Sequence, residues 1–551
     1  MNTTPPASAS PWDYLIVTAA NERQAAAYQA QIQLRREMGA LPQVRKFLAI
    51  PDREGRRIGS GGSTLQCLAE VLRRESPPDS DPSDVQRTEA ILSRLRILIV
   101  HAGGDSRRLP AYSPCGKIFI PLPGGPHSSF GFTLFDRLVP AFLALPAGAP
   151  GAGQVVVAAG DALILFNPAA VQFAGRGITA LGAPASPQEA ARHGVLCPNP
   201  DGSVRLYLQK PDMHAQAQAG AIGRDGRSVL DIGIMSLDAG AAATLLHAFG
   251  TPLAGPAILS QGIDLYREIC CALGTEATLA HYLRSARSAR SSLDDAVLAS
   301  LFARLRPIPL HLQLLDQCSF LHFGSTSQLI SSGLELIALE SGAPPPTTIL
   351  AMNNDMAGDT AGDMADGAIA GREAWVEGCR LRAPLCLRRR NVVVGVDVLE
   401  PLDLPAGACL DISEGLDRNG AKVWFIRCCG VDDTFKRAVR EGATFCGERL
   451  ADWLLTAGAP LSSVWDDGIA EGERTLWNAR LFPAEEESAA FRRWLWMFDI
   501  AAATPEQKAG FREADRYSSA EIALLADHAA FHARRAALRA AGDPPSNHDG
   551  K

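Results

Sequence analysis

The segment RILIVHAGGDSRRLP (residues 96–110) joins an apolar run to a loop rich in glycine and arginine. Its first five residues have the length and branched side chains of a buried strand. Glycines at 103 and 104 let the backbone approach a phosphate closely, so that its N–H groups can bind the oxygens. Arg107 can form a two-pronged contact with phosphate, and Lys117 downstream adds a second positive charge. The segment therefore predicts a strand that leads into an anion-binding loop.

Two known phosphate-loop patterns do not fit this chain. Counting back from Gly116–Lys117, the first glycine of a Walker A loop would fall at Ala111, and Ile118 stands where Ser or Thr is needed. The upstream stretch GSGGST (residues 59–64) lacks the third glycine of a dinucleotide fingerprint. A tight turn with solvated arginines is the alternative for the first loop. The combination Gly-Gly-x-Ser-Arg-x-x-Pro with a downstream Gly-Lys favours phosphate binding.

Short apolar runs alternate with helical stretches up to about residue 317. Residues 21–38 have helical composition, and a second helix is predicted from Thr64, after a Gly/Ser loop at 59–63. This alternation predicts a largely parallel sheet with helices on both faces and ligands beyond the carboxyl ends of its strands. Strands are predicted at Tyr14–Thr18, Lys46–Ile50, Arg96–Val100, Gln154–Ala159, Gly177–Leu181, Val204–Gln209 and Val229–Ser236.

The pattern of apolar and polar residues changes at about residue 318. From there, short apolar segments such as NVVVGVDV and KVWFIRC are separated by small polar turns. Without a strong helical period, these pieces predict a β-rich domain, and a solenoid is one form it could take. Residues 357–372 have the composition of a loop, and the last helix is predicted over Ser519–Ala541. The organisation predicted is a disordered tail at 1–12, an α/β domain at 13–317, a β domain at 318–440, a helical region at 441–541 and a disordered tail at 542–551.

Two aspartates are candidates to hold Mg²⁺. Asp161 follows an apolar strand, where metal and phosphates would meet, and Asp264 lies in the sequence GIDLY. Two carboxylates together with substrate phosphates suit Mg²⁺, which takes few protein ligands. The alternative for each is a structural role as a helix cap or turn residue.

Other polar residues at strand ends are candidates to bind substrate. Lys210 could bind a phosphate, and Asp231 with Gly233 offers a carboxylate and a close backbone approach for a sugar; a surface lysine and a strand bulge are the alternatives. His528 and His532 have a metal-compatible spacing, but we interpret them as a solvated helix face. The candidates to contact a nucleotide are Gly61, Gly62, Ser63, Gly103, Gly104 and Ser106.

Composition excludes several classes of protein. The 551 residues carry a formal net charge of −7, which argues against nucleic-acid binding, and 47% are hydrophobic, as in globular proteins. No apolar run is long enough to span a bilayer, and the first residues lack a signal-peptide pattern. The twelve cysteines are scattered without zinc spacing. We therefore expect a cytoplasmic protein with reduced cysteines and no membrane partner.

The chain resembles the fucokinase/GDP-fucose pyrophosphorylase family. The similarity extends from about residue 13 to residue 490 in consistent order, which makes it more specific than any one motif. The matching segments are IGSGGSTLQCL at 58–68, HAGGDSRRLPAYSPCGKIF at 101–119, LQKPD at 208–212, DIGIMSLD at 231–238, IDLYREI at 263–269, LHFGSTSQLI at 321–330 and TLWNARLFP at 475–483.

The resemblance implies a Rossmann-like nucleotidyltransferase domain followed by a left-handed parallel β-helix. It implies that GTP and β-L-fucose 1-phosphate give GDP-L-fucose and pyrophosphate with Mg²⁺. In this family the glycine-rich motif with Arg107 and Lys117 would bind the nucleotide phosphates, and Gly61 and Gly62 would lie near the base. Asp161 matches the metal position, and Lys210 would hold the sugar phosphate.

The sequence also departs from the family. Ser63 stands where the upstream loop commonly has another glycine, which leaves the identity of the base open. The Gly/Ser-rich phosphate loop of the sugar kinase found in bifunctional members is absent, so a separate kinase chain would supply the sugar phosphate. An L-fucokinase-type activity and a non-catalytic nucleotide-binding scaffold remain alternative hypotheses. The exact sugar, the nucleotide and the formation of a homo-oligomer are left open.

Overall fold

The structure is a computed structural model that describes residues 11–77, 84–104, 106–124, 133–250, 261–345, 347–356 and 369–542. The chain divides into two compact units, which we call the first and the second unit. Most of both predicted tails and most of the predicted loop at 357–372 lie outside the described residues. The first unit comprises Met1–Gly104 and Arg137–Phe320, and the second comprises Asp105–Asp136 and Leu321–Lys551.

The second unit therefore contains a segment, Asp105–Asp136, that the sequence assigns to the continuous α/β domain at 13–317. The domain boundaries drawn from the sequence stay a prediction. At the amino terminus, the first strand begins at Trp12, whose side chain is buried, one residue before the predicted start of the domain.

Seven strands of the first unit lie where the sequence predicts them, and two of these have the predicted bounds. Three further strands, at Ala162–Phe166, Gly194–Pro198 and Leu310–Leu314, have no counterpart in the prediction. In chain order, the strands are β1 (Trp12–Ala19), β2 (Val44–Pro51), β3 (Arg96–His101), β4 (Gln154–Ala159), β5 (Ala162–Phe166), β6 (Ile178–Ala185), β7 (Gly194–Pro198), β8 (Val204–Gln209), β9 (Ser228–Leu237) and β10 (Leu310–Leu314).

A nine-stranded sheet has the order β10-β6-β9-β4-β3-β1-β2, with β7 and β8 attached beside β9. Strands β2, β1, β3 and β4 are mutually parallel. The prediction of a largely parallel sheet is confirmed for these four strands and for the pair of β10 with β6. Strand β9 instead runs antiparallel to β4, β6 and β7, and the β7–β8 pair is also antiparallel. The sheet is mixed, and its parallel half carries the ends of β3 and β4 on one edge.

The central strands β3 and β4 are buried almost completely. Ile97, Leu98 and Ile99 have no exposed surface, and Val155 and Val156 have at most 1%. Strands that are covered on both faces read as continuous apolar runs rather than as alternating patterns. This burial explains why β3 and β4 have continuous apolar runs and could be predicted from the sequence.

The helices up to residue 320 include the predicted one at 21–38, which is capped by the Asn21 side chain. The second predicted helix begins earlier than expected, because Gly59–Ser63 form its first turn instead of a loop. The helices are α1 (Glu22–Glu37), α2 (Gly59–Glu75), α3 (Val85–Leu92), α4 (Leu134–Leu143), α5 (Pro187–Ala190), α6 (Met213–Gln218), α7 (Ala239–Ala248), α8 (Leu279–Ser288) and α9 (Asp295–Leu305).

The later part of the chain has many short strands, as the sequence predicts. They are β11 (Cys318–His322), β12 (Ile349–Met352), β13 (Ile369–Ala370), β14 (Ala374–Glu377), β15 (Arg380–Leu381), β16 (Leu385–Leu387), β17 (Asn391–Val394), β18 (Asp397–Val398), β19 (Leu402–Leu404), β20 (Ala408–Leu416), β21 (Lys422–Gly430), β22 (Thr444–Phe445), β23 (Glu448–Arg449), β24 (Phe482–Glu485) and β25 (Arg516–Tyr517).

Parallel pairing with a regular spacing organises these strands. Ala374 pairs with Asn391, and Val392 pairs with Cys409, so partners lie 17 positions apart. Strands β12, β14, β17 and β20 form one parallel run, β13, β16 and β19 a second, and β15 and β18 a third. Antiparallel strands β21, β24 and β25 continue the first run.

The helices of the second unit differ from the sequence prediction in two places. A helix occurs inside the stretch expected to lack one, and the predicted last helix is two helices separated at Ala526–Asp527. Ala526 forms a β-bridge with Gly415, and the Asp527 carboxylate accepts the N–H of Ala530 in the next helix. The helices are α10 (Thr326–Ser341), α11 (Leu450–Ala457), α12 (Pro505–Glu513), α13 (Ser519–Leu525) and α14 (His528–Gly542).

Two general features of the chain complete the description. All twelve cysteines are free thiols. Across the described ranges, no helix combines the length and the apolar character needed to cross a lipid bilayer.

Candidate functional site

The site is built at the carboxyl ends of β3 and β4 in the first unit. These strands are parallel neighbours, and His101 at the end of β3 lies opposite Ala159 at the end of β4. The N–H of Gly160 donates to the carbonyl of His101 at 2.9 Å, so the chain turns directly toward Asp161. This is the edge of a parallel sheet at which ligands bind.

His101 interacts with polar groups from three other segments: Thr64, Asp161 and Asp264. Its Nε2 lies 2.9 Å from the hydroxyl of Thr64 in α2. Burial lowers the pKa of His101 to about 4, while the negative charges of Asp264 and Asp161 act in the opposite direction. The ring is therefore neutral at neutral pH, and the two candidate metal ligands both lie within electrostatic reach of it.

Asp264 performs the capping role that the sequence left as its alternative. One carboxylate oxygen accepts the N–H groups of Tyr266 and Arg267 at 3.0 and 2.9 Å, at the start of a π-helical turn. The other oxygen lies 3.5 Å from the hydroxyl of Ser60 in the first turn of α2. The first oxygen is therefore used as the cap. The second oxygen does not take part in the cap, and its role in binding a metal stays a prediction.

The glycines at the start of α2 serve close packing. The N–H of Gly62 donates to the carbonyl of Ile263 at 3.1 Å, and a Cβ added at Gly61 would lie 2.9 Å from the Ile263 side chain. The hydroxyl of Ser63 donates to Asp52 at 2.7 Å and is buried. These contacts explain the glycines without a ligand, and the nucleotide-binding role of Gly61, Gly62 and Ser63 stays a prediction.

The glycines after β3 differ from each other. The N–H groups of Ala102 and Gly103 both donate to the hydroxyl of Thr18, at 3.1 and 3.2 Å. Gly104 has a φ of +115° and open space around its missing Cβ, so it provides the unusual backbone turn. The N–H of Gly103 is thus already bonded within the protein, whereas we had expected it to contact a phosphate.

A buried carboxylate lies beside this edge in β9. Asp231 accepts the hydroxyl of Tyr207 and the N–H of Gly233, both at 2.7 Å. Burial raises the pKa of Asp231 to about 6, and these two hydrogen bonds oppose the shift. A Cβ at Gly194 would lie 1.8 Å from the Tyr207 oxygen, so glycine is required there for the hydrogen bond to form.

Gly233 itself has a φ of +76°, and a Cβ there would lie 3.1 Å from the Cβ of Ala159 in β4. These features support the alternative that Gly233 lies in a strand bulge, because the pairing of β6 with β9 also shifts register nearby. Asp231 and Gly233 lie together, as the sequence predicts, but their role in binding a sugar stays a prediction.

The Asp231 carboxyl group predicts a specific pH dependence of stability. Its folded-state pKa of about 6 lies above the ordinary value of 3.8. The folded state therefore holds the proton more tightly, and its contribution to stability is complete below pH 4 and is lost as the pH rises through 6. Over that window, the unfolding free energy of wild type should fall relative to Asp231→Asn by on the order of 3 kcal/mol. Chemical denaturation at several pH values measures this, and parallel pH curves for the two proteins would contradict it.

Lys210 lies at the exposed end of β8, as predicted, in a left-handed conformation with a φ of 48°. Its N–H donates to the carbonyl of His193 at 2.9 Å. Burial lowers the pKa of His193; the charge of Lys210 lowers it further, and the charge of Asp161 raises it. The structure thus brings Lys210 and Asp161 within electrostatic reach of one histidine.

Sequence reasoning missed His193 and Tyr207. His193 comes directly before β7 and packs edge-on against Phe320 with ring centroids 5.5 Å apart. Its only signal in the sequence was its position next to Gly194, a strand-opening glycine. Tyr207 gave no signal, since an aromatic residue in a strand is ordinary.

Ser106, Arg107 and Lys117 belong to the second unit. Ser106 has a φ of 53°, and its hydroxyl is buried with no hydrogen-bond partner among the described residues. Arg107 is exposed, and the half-buried Lys117 begins a short 3-10 helix after Gly116, whose φ is +71°. The other predicted site residues lie in the first unit, so the predicted set is divided between the two units.

Over the part of the chain that the structure describes, no three His, Cys, Asp or Glu side chains come together in a metal-binding arrangement. The charges of Asp161 and Asp264 both reach His101, and a donor set of two carboxylates fits a metal that takes most of its ligands from substrate and water. The spacing of His528 and His532 does not lead to a metal site. The interpretation as a solvated face is also wrong, because His528 is only 8% exposed.

Comparison with known proteins identifies a single family. The family model described as "Fucose pyrophosphorylase domain" matches residues 89–487. This range contains the ends of β3, β4 and β8, as well as Lys117. It therefore includes most of the site residues predicted from the sequence.

Three curated proteins are similar over most of this chain. A bifunctional fucokinase/GDP-fucose pyrophosphorylase of Arabidopsis thaliana is 26% identical over 93% of this chain and 50% of its own length. An L-fucokinase/L-fucose-1-P guanylyltransferase of Bacteroides fragilis is 24% identical over 89% of this chain and 48% of its own. A fucose-1-phosphate guanylyltransferase of Homo sapiens is 25% identical, with coverages of 86% and 81%. The chain thus spans about half the length of the two bifunctional relatives.

Proposed function

Because this chain belongs to the fucose pyrophosphorylase family, we propose that it joins L-fucose 1-phosphate and GTP to give GDP-L-fucose and pyrophosphate. A phosphate oxygen of the sugar phosphate forms a bond to the α-phosphorus of GTP. The bond from that phosphorus to the bridging oxygen breaks, and pyrophosphate leaves with the electron pair. The names of the human, plant and bacterial relatives support this reaction.

One observation carries the proposal. The N–H of Gly160 donates to the carbonyl of His101, which places Asp161 at the carboxyl edge of β3 and β4. The N–H of Lys210 donates to the carbonyl of His193, and the charges of Lys210 and Asp161 both reach the His193 ring, as those of Asp161 and Asp264 reach His101. Two carboxylates and a lysine within electrostatic reach of these two histidines suit a substrate that carries metal-bound phosphates. In the sequence, Asp161 and Lys210 each follow a predicted strand, and Asp264 lies in the sequence GIDLY.

The chemistry requires charge neutralisation more than proton transfer. The sugar phosphate oxygen is already anionic at neutral pH, so a strong general base is not needed. Two anions must instead be held together against their repulsion. We propose that Lys210 binds the sugar phosphate, while Arg107 and Lys117 bind the phosphates of GTP. Asp231 and Gly233 are the proposed contacts to the sugar hydroxyls.

Asp161 and the Asp264 oxygen that does not cap the π-helical turn are the groups that would hold Mg²⁺. Their donor set fits, since it consists of hard carboxylate oxygens and is small. When bound, Mg²⁺ supplies positive charge that offsets the charge of the triphosphate. Ser60 and Thr64, which contact Asp264 and His101, keep these side chains in place.

We also propose that the parallel strands of the second unit form a left-handed β-helix. The 17-position spacing between paired strands and the three parallel runs support this.

The two bifunctional relatives carry fucokinase in their names, which supports a kinase that phosphorylates the anomeric hydroxyl as the source of the substrate.

A pyrophosphate-release screen tests the proposed function. Four nucleoside triphosphates are crossed with the 1-phosphates of fucose, mannose, glucose and N-acetylglucosamine. We expect the highest rate for GTP with fucose 1-phosphate, with the nucleotide sugar confirmed by mass spectrometry. A higher rate for another pair would replace the proposed substrates but keep the reaction class.

Two controls separate the alternative hypotheses. Incubation with free fucose and ATP should give no ADP; ADP formation would favour a sugar kinase. Nucleotide binding without pyrophosphate release from any pair would favour a non-catalytic scaffold and would exclude the transferase.

A further inference from the structure

The segment between Arg107 and Lys117 is held in place by side chains from much later in the chain. All of them belong to the second unit. The segment is largely buried, and its prolines at 110 and 114 provide carbonyl oxygens that need donors from elsewhere. We call residues 110–114 the anchored stretch.

The first anchor is at Pro110. Its carbonyl accepts a hydrogen bond from Nη2 of Arg427 at 2.7 Å. Arg427 in β21 is fully buried and paired with Asp411 on the neighbouring strand β20, with Nη2 to Oδ1 at 2.6 Å. A buried ion pair with this geometry fixes the guanidinium rigidly, and the guanidinium in turn fixes the carbonyl.

The second anchor is at Tyr112. Its hydroxyl accepts the Nε1–H of Trp375 at 2.6 Å and lies 3.3 Å from a carboxylate oxygen of Glu377. The same oxygen of Glu377 accepts Nη2 of Arg535 at 2.6 Å. Side chains of strand β14 and helix α14 therefore act together to hold the Tyr112 side chain in place.

The third anchor is at Pro114. Nδ1 of His528, the first residue of α14, makes a short hydrogen bond to the Pro114 carbonyl. Since a carbonyl can only accept, Nδ1 carries the proton. His528 is the anchor chosen for the test, because Arg427 and Arg535 each pair with a buried carboxylate that would lose its partner if they were removed.

From this geometry we infer that His528 is a positioning residue for nucleotide binding. Arg107 precedes the anchored stretch and Lys117 follows it, so the three anchors set how the two cations are presented. Loss of one anchor lets the stretch sample other conformations, and the apparent affinity for GTP falls with the fraction that remains competent. The inference rests on the proposed function, in which these cations bind the GTP phosphates.

Three variants of the full chain test it. His528→Leu removes the donor, and we expect KM for GTP to rise roughly tenfold while KM for fucose 1-phosphate changes by less than about twofold. His528→Asn keeps an N–H at the same branch point and should restore KM. Leu454→Ala is the matched control, because it removes buried atoms in α11 but no donor to the stretch; it should lower the melting temperature and leave KM unchanged.

An unchanged KM for GTP in folded His528→Leu would overturn the inference, as would an equal rise in Leu454→Ala. If His528→Leu does not fold, His528→Gln replaces it, since its donor lies one bond further out and should also raise KM. Hydrogen exchange gives a test without activity. The Gly116 N–H, bonded to the Tyr112 carbonyl at 2.9 Å, should exchange faster in His528→Leu than in wild type. If wild type shows no turnover, the proposed function fails, and this exchange measurement still decides whether His528 holds the stretch.

Discussion

Replacing Lys117 by alanine is expected to lower turnover by on the order of 100-fold or more, with little change in the melting temperature. The half-buried Lys117 begins a short helix next to the anchored stretch. Its charge is proposed to stabilise the triphosphate as negative charge builds up on the leaving pyrophosphate. Arg107→Ala should have a similar effect, because its two-pronged contact serves the same anion. Pyrophosphate release at saturating GTP and fucose 1-phosphate measures both.

Lys422→Ala is the matched control for Lys117→Ala. Lys422 lies in the same unit and is 62% exposed in an ion pair with Glu414. An exposed pair of this kind contributes little, so turnover and stability should both stay close to wild type. Turnover of Lys117→Ala within a few-fold of wild type would remove Lys117 from the proposed phosphate site.

The sequence predicted the sheet of the first unit well where strands are buried on both faces. The almost fully buried β4 has the predicted bounds, and so does the partly buried β8, because turn residues follow each of them, Gly160–Asp161 and Lys210–Pro211. Direction was harder to predict. Alternating strands and helices predict a largely parallel sheet, and the pattern does not reveal that β9 runs antiparallel between β4 and β6.

Packing between distant segments explains the local errors. Gly59–Ser63 looked like a loop because glycine is a poor helix former. In the structure these residues form a helical turn because the backbone at Ile263 packs directly against them, where a Cβ at Gly59 would lie 2.2 Å from the Ile263 carbonyl. His528 looked solvated because its partner, Pro114, lies 414 positions away.

The candidate site could be predicted in its charged residues but not in its supporting ones. Asp161 and Lys210 were found because they end strands. His101 was read only as part of a motif, and His193 was missed, because its environment depends on contacts that the sequence does not display. The capping role of Asp264 was the alternative hypothesis from the sequence, since an aspartate before a helical turn commonly caps it.

Replacing Asp161 by asparagine is expected to lower turnover by on the order of 100-fold to 1,000-fold at limiting Mg²⁺. The substitution keeps the shape of the side chain and removes the charge that is proposed to hold the metal. Asp161 is only half-buried and follows the end of β4, so the fold should be retained and the melting temperature nearly unchanged. Part of the loss should be recovered as Mg²⁺ is raised, since weaker binding is then overcome by mass action.

Direct metal binding separates this role from a structural one. Mn²⁺ titration followed by electron paramagnetic resonance should show weaker binding in Asp161→Asn than in wild type. Asp295→Asn, which breaks an exposed pair with Arg287, is the control and should bind Mn²⁺ like wild type. If Asp161→Asn binds Mn²⁺ normally and turns over normally, Asp161 does not hold the metal. The charge that it places near His101 and His193 would then have to act on the substrate phosphates by another route.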